Sequence, residues 1–255
     1  MKTFAAIATP VIFIALLLAI WEAACRISGI APYLLPPPSA IGASLVAGWP
    51  LLLSSAWNTL VTALTALAIS SIAACSLALL TALSPMVERA VRPLAVTLQV
   101  TPVIAIAPLL IIWAGLDHPE RAVLIAAAIV AFFPIYSGAV TGLKAADPDL
   151  ERLFDLYGAG RWQKLVKLRL PSSVPFLLEG HKVAAGLAVI GAVMGEFVAG
   201  TGGSQGLAWR ILEASNRLQT ARVFAALLVL AVMAALLYAA LQLAERKALI
   251  WWRGR

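Results

Sequence analysis

The 255-residue chain is 62% hydrophobic and 12% charged, with a mean hydropathy of +0.95. That much apolar surface cannot be hidden in one water-facing core, so a soluble globular domain is excluded and a membrane is required. The formal net charge of +7 calls for no nucleic acid, because basic residues gathered on the cytoplasmic side and contact with anionic lipid account for it.

A helix crosses the hydrocarbon in about 20 apolar residues. Six such runs stand between charged or Pro/Gly-rich breaks, at approximately Phe4 to Ala24, Thr59 to Leu83, Leu94 to Ala114, Ala122 to Leu143, Val183 to Gly200 and Val223 to Leu243. None shows the two-residue alternation of barrel strands, so the fold expected is an all-α bundle of six transmembrane helices. No internal repeat is visible, and residues 1–255 read as one domain.

The first run follows Lys2 and ends near "EAAC" at Glu22 to Cys25, which is close to a lipoprotein cleavage box. The run is long for a signal peptide, and Glu22 stands where such a box wants an aliphatic residue, so an uncleaved span is expected. Cys25 and Cys75 read as ordinary small residues with no disulfide between them. Pro32, Pro36, Pro37, Pro38 and Pro50 then predict a broken external segment with a short interfacial helix.

Once the spans are drawn, Arg26, Arg121, Arg210, Arg217 and Arg222 fall on one side and the other fourteen Lys and Arg on the opposite one. The positive-inside bias makes the larger set cytoplasmic, with both termini inside. The third and fourth spans carry Gln99, Thr101, Pro102, Pro108, Pro134 and Tyr136, polar groups and breakers of the kind that open a bundle for transport. No Lys or Arg lies within the spans as drawn, which disfavours a small anion as the transported solute.

The largest cytoplasmic loop, 144–182, contains "PDLERLFDLYGAGRWQKLVKLRLP". Leu150, Leu153, Phe154 and Tyr157 recur at helical spacing, with Asp149, Glu151, Arg152 and Asp155 off that face. Gly158 and Gly160 supply a stop. A second short helix then carries Trp162, Leu165 and Val166 on one side until Pro171 opens a new element. Two amphipathic helices at a glycine hinge form either a docking surface or an ordinary solvated loop.

In the fifth span Gly191 and Gly195 have the GxxxG spacing that suits close helix approach. Glu196 follows, and a charge in a span costs about 2.5 to 3.5 kcal/mol on insertion scales. Two readings stay open: a group facing the pathway, or a cap that fixes the following glycine-rich loop by hydrogen bonds. Beyond that loop, Leu207, Ile211 and Leu218 predict an amphipathic helix lying on the outer membrane surface. Trp251 and Trp252 beside Arg253 read as an interfacial anchor.

The loop, with Gly158 and the Leu170-Pro171 pair a dozen residues on, resembles the cytoplasmic motif of permease subunits of ATP-binding-cassette importers. "LPPPSAI" at Leu35 to Ile41 and "TPVIAIAPLLIIW" at Thr101 to Trp113 look like the branch serving nitrate, sulfonate, taurine and pyrimidine precursors. The resemblance covers nearly the whole chain. Six residues before Gly158, where the wider family often has glutamate, stands Arg152, with Glu151 adjacent.

The resemblance implies a type I importer permease fold in the bacterial inner membrane. It also implies that Asp149, Glu151, Arg152, Leu153, Phe154, Asp155, Tyr157, Gly158, Arg161 and Trp162 form the coupling element, seated on an ATPase dimer. The expected partners are that dimer, a second copy of the permease, an external solute-binding protein and membrane lipid. ATP and Mg belong to the ATPase subunit: this chain has no GxxxxGK[ST], so neither cofactor nor catalysis is expected in it, and no metal site. Gln99, Thr101, Pro102, Tyr136 and Glu196 are the expected pathway residues. "EFVAGTGGSQGLAWRILEASNRL" looks most similar to permeases for thiamine-related pyrimidines. The rival reading is a secondary transporter with Glu196 as a cation or proton site, although the duplicated halves usual there are not seen. A membrane enzyme would need convergent catalytic groups, and His118 and His181 fall on opposite sides.

Overall fold

The computed structural model describes residues 2–115, 117–200 and 205–253, and among these every regular element is helical. In chain order they are α1 (Lys2–Ile27), α2 (Pro38–Leu83), α3 (Pro85–Val100), α4 (Val103–Ala114), α5 (Pro119–Lys144), α6 (Pro148–Leu156), α7 (Arg161–Lys164), α8 (Leu170–Ala199), α9 (Leu207–Asn216) and α10 (Thr220–Arg253). Five helical stretches are long and apolar enough to cross a membrane: Thr9–Ile27, Pro38–Leu83, Pro119–Lys144, Arg161–Ala199 and Thr220–Ile250. The expected third span is built from α3 and α4 in tandem. Proline at 102 drives Thr101 to extended backbone, φ −74° and ψ 122°, and so breaks the helix between them.

Two boundaries differ from expectation. Helix α2 runs for 46 residues straight through Pro50, about 69 Å at 1.5 Å per residue, so the proline-rich stretch is broken only as far as Pro37. Its first turn is held from outside, because Glu22 on α1 accepts from the Ser39 amide (2.9 Å) and the Ser39 hydroxyl (2.8 Å). Pro171 opens no separate element either. A π-helical turn over Leu165–Arg169, closed by the Leu170 amide on the Leu165 carbonyl, joins α7 to α8. The result is one 39-residue helical run, Arg161–Ala199.

The spine of the bundle is the antiparallel pair α5 and α8, the most extensive helix contact among the described residues. Small residues let the backbones touch. A Cβ at Gly195 would lie 2.8 Å from Val123 Cα, one at Gly191 2.7 Å from Ala127 Cα, and one at Gly142 2.8 Å from Ser173 Cα. Gly138 and Gly180 face one another between these points. Helix α2 packs on this spine through Ala63, Ala66, Ser70, Ala74 and Ala78, all nearly or fully buried, and the Ser70 hydroxyl donates to the Ala128 carbonyl at 2.6 Å. Helix α10 covers α2 and α8, and α1 lies at the edge, where Trp21 meets Phe224 at 5.8 Å. From Ile12 onward the leucines and isoleucines of α1 are more than 40% exposed, as a lipid-facing surface requires.

The chain is closed at its other end by a side chain. Pro175 has no N–H for the Pro171 carbonyl four residues back, and the Trp252 indole donates to that carbonyl instead, at 2.9 Å.

Candidate functional site

A groove of about 750 Å³ opens between α4, α5 and α8. Its floor exists because the glycines bring α5 and α8 into contact, while the break at Thr101 sets α4 apart from them. One wall carries Gln99 and Thr101, another Phe133, Ser137 and Thr141, and α8 contributes Phe176, Glu179, Val183, Leu187 and Met194. A second cavity of about 620 Å³ shares Phe133, Ser137, Thr141 and Phe176 with the groove and extends it toward Glu88, Arg92 and Lys144. Glu88 and Lys144 form an ion pair that ties the start of α3 to the end of α5. That hydrogen bond holds the Glu88 carboxyl below its usual range.

Of the expected pathway residues, Gln99 and Thr101 line the groove and Pro102 shapes it as the residue before α4. Tyr136 is elsewhere. It is 6% exposed, stacks on Phe132 at 5.8 Å and walls only the second cavity. Glu179 is the one charged residue of the groove among the described residues. The sequence reading missed it because the fifth span was started at Val183, after Lys182. In the continuous helix Lys182 lies inside the bundle, paired with Glu179 and, at 3.0 Å, with Glu245 of α10, so the spans do contain a lysine, neutralised by two carboxylates.

Glu196 is not brought to the groove. It is 1% exposed and occupies a sealed junction of α2, α8 and α9. Oε1 accepts from the Thr59 hydroxyl at 2.9 Å and Oε2 from the Ala208 amide at 2.9 Å. Thr59 Oγ1 in turn accepts from the Leu207 amide at 2.9 Å. Together they satisfy N–H groups that the first turn of α9 leaves without intrahelical partners. A Cβ at position 206 would lie 2.0 Å from the Glu196 carboxylate, so any larger residue there displaces it. In this structure Glu196 thus caps the start of α9. Four residues of the glycine-rich loop, 201–204, lie outside the described residues.

Helix α9 packs its apolar face on the bundle. Leu207, Ala208, Ile211 and Ala214 are buried against the bundle, while Leu218 stands outside that face, 72% exposed and at φ 55° in the following turn.

At the opposite end α6 protrudes, and none of its residues is buried. Asp147 caps it by accepting from the Asp149 amide at 2.8 Å. Gly158, at φ 66°, ends it: the Gly158 amide donates to Asp155 O and the Ala159 amide to Phe154 O, both at 2.9 Å, a Schellman closure that needs a left-handed residue. The expected apolar face is present but turned. Leu153, Leu156, Tyr157 and Trp162 are exposed, Leu156 by 85% and Tyr157 by 83%, whereas Phe154 is half-buried. Leu156 was missed, although it sits three residues after Leu153.

Around this patch Asp149 pairs with Arg152 at 3.1 Å, Asp155 pairs with Lys164, and Arg161 is exposed at the start of α7. Glu151 reaches Arg169 at 2.7 Å, so the residue beside Arg152 makes the bridge from α6 to the long helix. Leu165 and Leu168 are buried and root that helix in the bundle. A hinge and an ion pair thus connect α6 to the helix that lines the groove.

Among the described residues no three His, Cys, Asp or Glu side chains gather as a metal site. His181 bonds Ser71 at 2.7 Å and the Leu177 carbonyl at 2.8 Å, which leaves its ring nitrogens engaged in helix contacts.

Residues 66–249 match the family described as binding-protein-dependent transport system inner membrane component. The chain is 34% identical over 243 residues to the formylaminopyrimidine transport permease protein ThiX of Halalkalibacterium halodurans, covering 95% of each. It is 34% identical over 243 residues to the riboflavin transport system permease protein RibX of Chloroflexus aurantiacus, covering 92% of this chain and 87% of that one. To the taurine transport system permease protein TauC of Escherichia coli it is 29% identical over 245 residues, covering 93% and 87%.

Proposed function

The chain belongs to the family of binding-protein-dependent transport system inner membrane components, and we propose that it moves a small heteroaromatic solute inward through the groove between α4, α5 and α8. As a member of that family it is a non-catalytic permease subunit of an ATP-binding-cassette importer. The observation that carries the mechanism is continuity. The helical run Arg161–Ala199 begins beside the protruding α6 and ends at the outer junction, lining the groove in between. A separate ATPase dimer, seated on Leu153, Leu156, Tyr157 and Trp162 with Asp149, Arg152, Asp155 and Arg161 at the rim, drives that helix when it closes on ATP. Gly158 acts as the joint. An external binding protein delivers the solute at the opposite face, a second copy of the chain completes the pathway, and both termini are cytoplasmic.

The lining supports this class of solute. Phe133 and Phe176 offer apolar ring faces. Gln99, Thr101, Ser137 and Thr141 offer hydrogen-bonding groups for a polar ring edge, and among the described residues no Lys or Arg lines the groove to hold an anion. A flat uncharged or cationic ring fits, a sulfonate does not, and a formylaminopyrimidine of the kind named for ThiX is the first candidate. Proteoliposomes holding the permease with its ATPase and binding protein should accumulate radiolabelled formylaminopyrimidine in an ATP-dependent way, with no accumulation of taurine. Uptake of taurine alone would refute the solute class, and uptake that persists without ATPase subunits would refute the importer reading.

A further inference from the structure

Glu179, the one charged residue lining the groove among the described residues, shares its partner with a second carboxylate. Lys182, one turn further along α8, is paired both with Glu179 and, at 3.0 Å, with Glu245 of α10. Two carboxylates against one ammonium leave a negative charge over. Exposure decides where that surplus sits: the side chains of Lys182 and Glu245 are 14% and 15% exposed, whereas that of Glu179 is 57% exposed and belongs to the groove. Breaking a sheltered ion pair is costly when it strands one of the charges. Here Lys182 keeps Glu245 as its counter-ion when Glu179 turns to another partner.

The surroundings of Glu179 suit one kind of partner. Phe176 lies three residues before it, on the same face of α8, and Phe133 lines the groove from α5. Aromatic faces attract a cation, most strongly where water is excluded. Gln99, Thr101, Ser137 and Thr141 add polar groups without charge. Toward the cytoplasm the adjoining cavity carries Arg92 and Lys144 against a single carboxylate, Glu88, so the negative potential is confined to the level of Glu179. The backbone that presents Glu179 and Phe176 is itself held in place. A Cβ at Gly180 would lie 2.7 Å from the Pro134 carbonyl oxygen and one at Gly138 2.7 Å from the Phe176 carbonyl oxygen, which clamps this turn of α8 on α5.

We propose that Glu179 is the specificity-determining residue of the groove, and that the solute it selects is an amino-substituted heteroaromatic ring in its protonated, cationic form. The proposal rests on the reading of the groove as the transport pathway. The carboxylate accepts charge-assisted hydrogen bonds from the N–H edge of the ring, a phenylalanine covers its face, and Lys182 stays with Glu245.

The test is the rate of ATP-dependent uptake of radiolabelled formylaminopyrimidine by proteoliposomes holding the permease and its ATPase. The binding protein is supplied in excess and kept saturated with solute, over a pH range that spans protonation of the ring. Dividing each variant's rate by that of wild type at the same pH cancels the response of the other subunits. Glu179→Gln should lower uptake about tenfold while the ring is protonated, as loss of a charge-assisted contact does, and the two rates should converge once the ring is neutral. Glu179→Asp, which keeps the charge, should keep the preference for the protonated ring. Glu245→Gln, outside the groove lining, should also lower uptake of the protonated ring, because Lys182 then has only Glu179 to hold. A loss by the same factor at every pH is what a purely structural pair would give, and it overturns the proposal. So does a Glu179→Gln permease that matches wild type throughout, and in both cases the reading of the groove as a pathway stands. If the wild-type system accumulates none of this solute, the solute class falls and takes the proposal with it.

Discussion

The outer junction around Glu196 and the cytoplasmic helix α6 are both short helices attached to the ends of α8, yet their polar and apolar groups are satisfied in opposite ways. Helix α9 finds everything within the chain: its first amides bond Glu196 and Thr59, and its apolar face is buried. Helix α6 caps itself at both ends but leaves its apolar face in water. The first element is held in position by its own chain, whereas the second leaves an exposed apolar face.

The sharpest way to break this contrast is at Glu196. Glu196→Ala removes the acceptor for Thr59 and the Ala208 amide, and each buried group left unpaired costs about 1 to 3 kcal/mol. Unfolding midpoints in detergent should fall by the equivalent of about 2 to 4 kcal/mol, with Glu196→Gln milder because it keeps one acceptor. A stable Glu196→Ala protein that inserts, assembles and fails only in uptake would move Glu196 back to the pathway.

At the other end the prediction is reversed. Leu156→Ala with Tyr157→Ala should leave the midpoint of the isolated subunit within about 0.5 kcal/mol of wild type, as surface changes usually do. Loss of large side chains central to an interface costs about 2 kcal/mol or more, so ATPase association should weaken roughly thirtyfold. Co-purification and uptake read this directly. Unaltered association would mean that α6 is an ordinary solvated loop.

Glu151→Gln is intermediate in expectation. The pair with Arg169 is about one-third exposed on each side, so its loss should cost no more than about 1 kcal/mol in stability. It should lower uptake relative to ATP hydrolysis, since the link from α6 to the long helix is cut. Equal reduction of both rates would argue against a coupling role.

The smallest effect concerns Glu88, partly exposed and held below its usual pKa of 4.5 by the hydrogen bond from Lys144. A depressed carboxyl contributes stability that is fully present above the ordinary value and lost as pH falls through the depressed one. The contribution is less than about 1 kcal/mol at such exposure. Acid titration of Lys144→Gln should therefore show a slightly flatter loss of stability below pH 4.5 than wild type, and identical curves would show that the pair is energetically silent.

Much of this was readable from spacing. Gly191 and Gly195 announced a close helix contact because only small residues allow one, and the α6 repeat with Gly158 announced a helix and its stop. What failed did so for local reasons. Pro50 was read as a breaker, but the bond that it removes belongs to the carbonyl of Val46, on a part of α2 where Val46 is 78% exposed, and the helix runs on through it. Glu179 and Lys182 were assigned to a loop because charges end a hydropathy run, and only the third partner, Glu245, shows why they are tolerated in a helix. Leu218 had the right spacing for α9 and the wrong backbone. Glu196 could not be decided from sequence, since its partners Thr59 and Ala208 are set by packing of three separate helices.

The missing methyl groups along α5 and α8 bear on how such proteins diversify. Because Gly138, Gly142, Gly180, Gly191 and Gly195 leave no room for a side chain, a substitution at any of them forces the two helices apart. The strip of α8 beside these glycines, with Phe176, Val183, Leu187 and Met194 toward the groove, is free of that restriction. A lineage can therefore change what it carries by substitution along one strip of one helix, while the contact that makes the strip rigid stays the same.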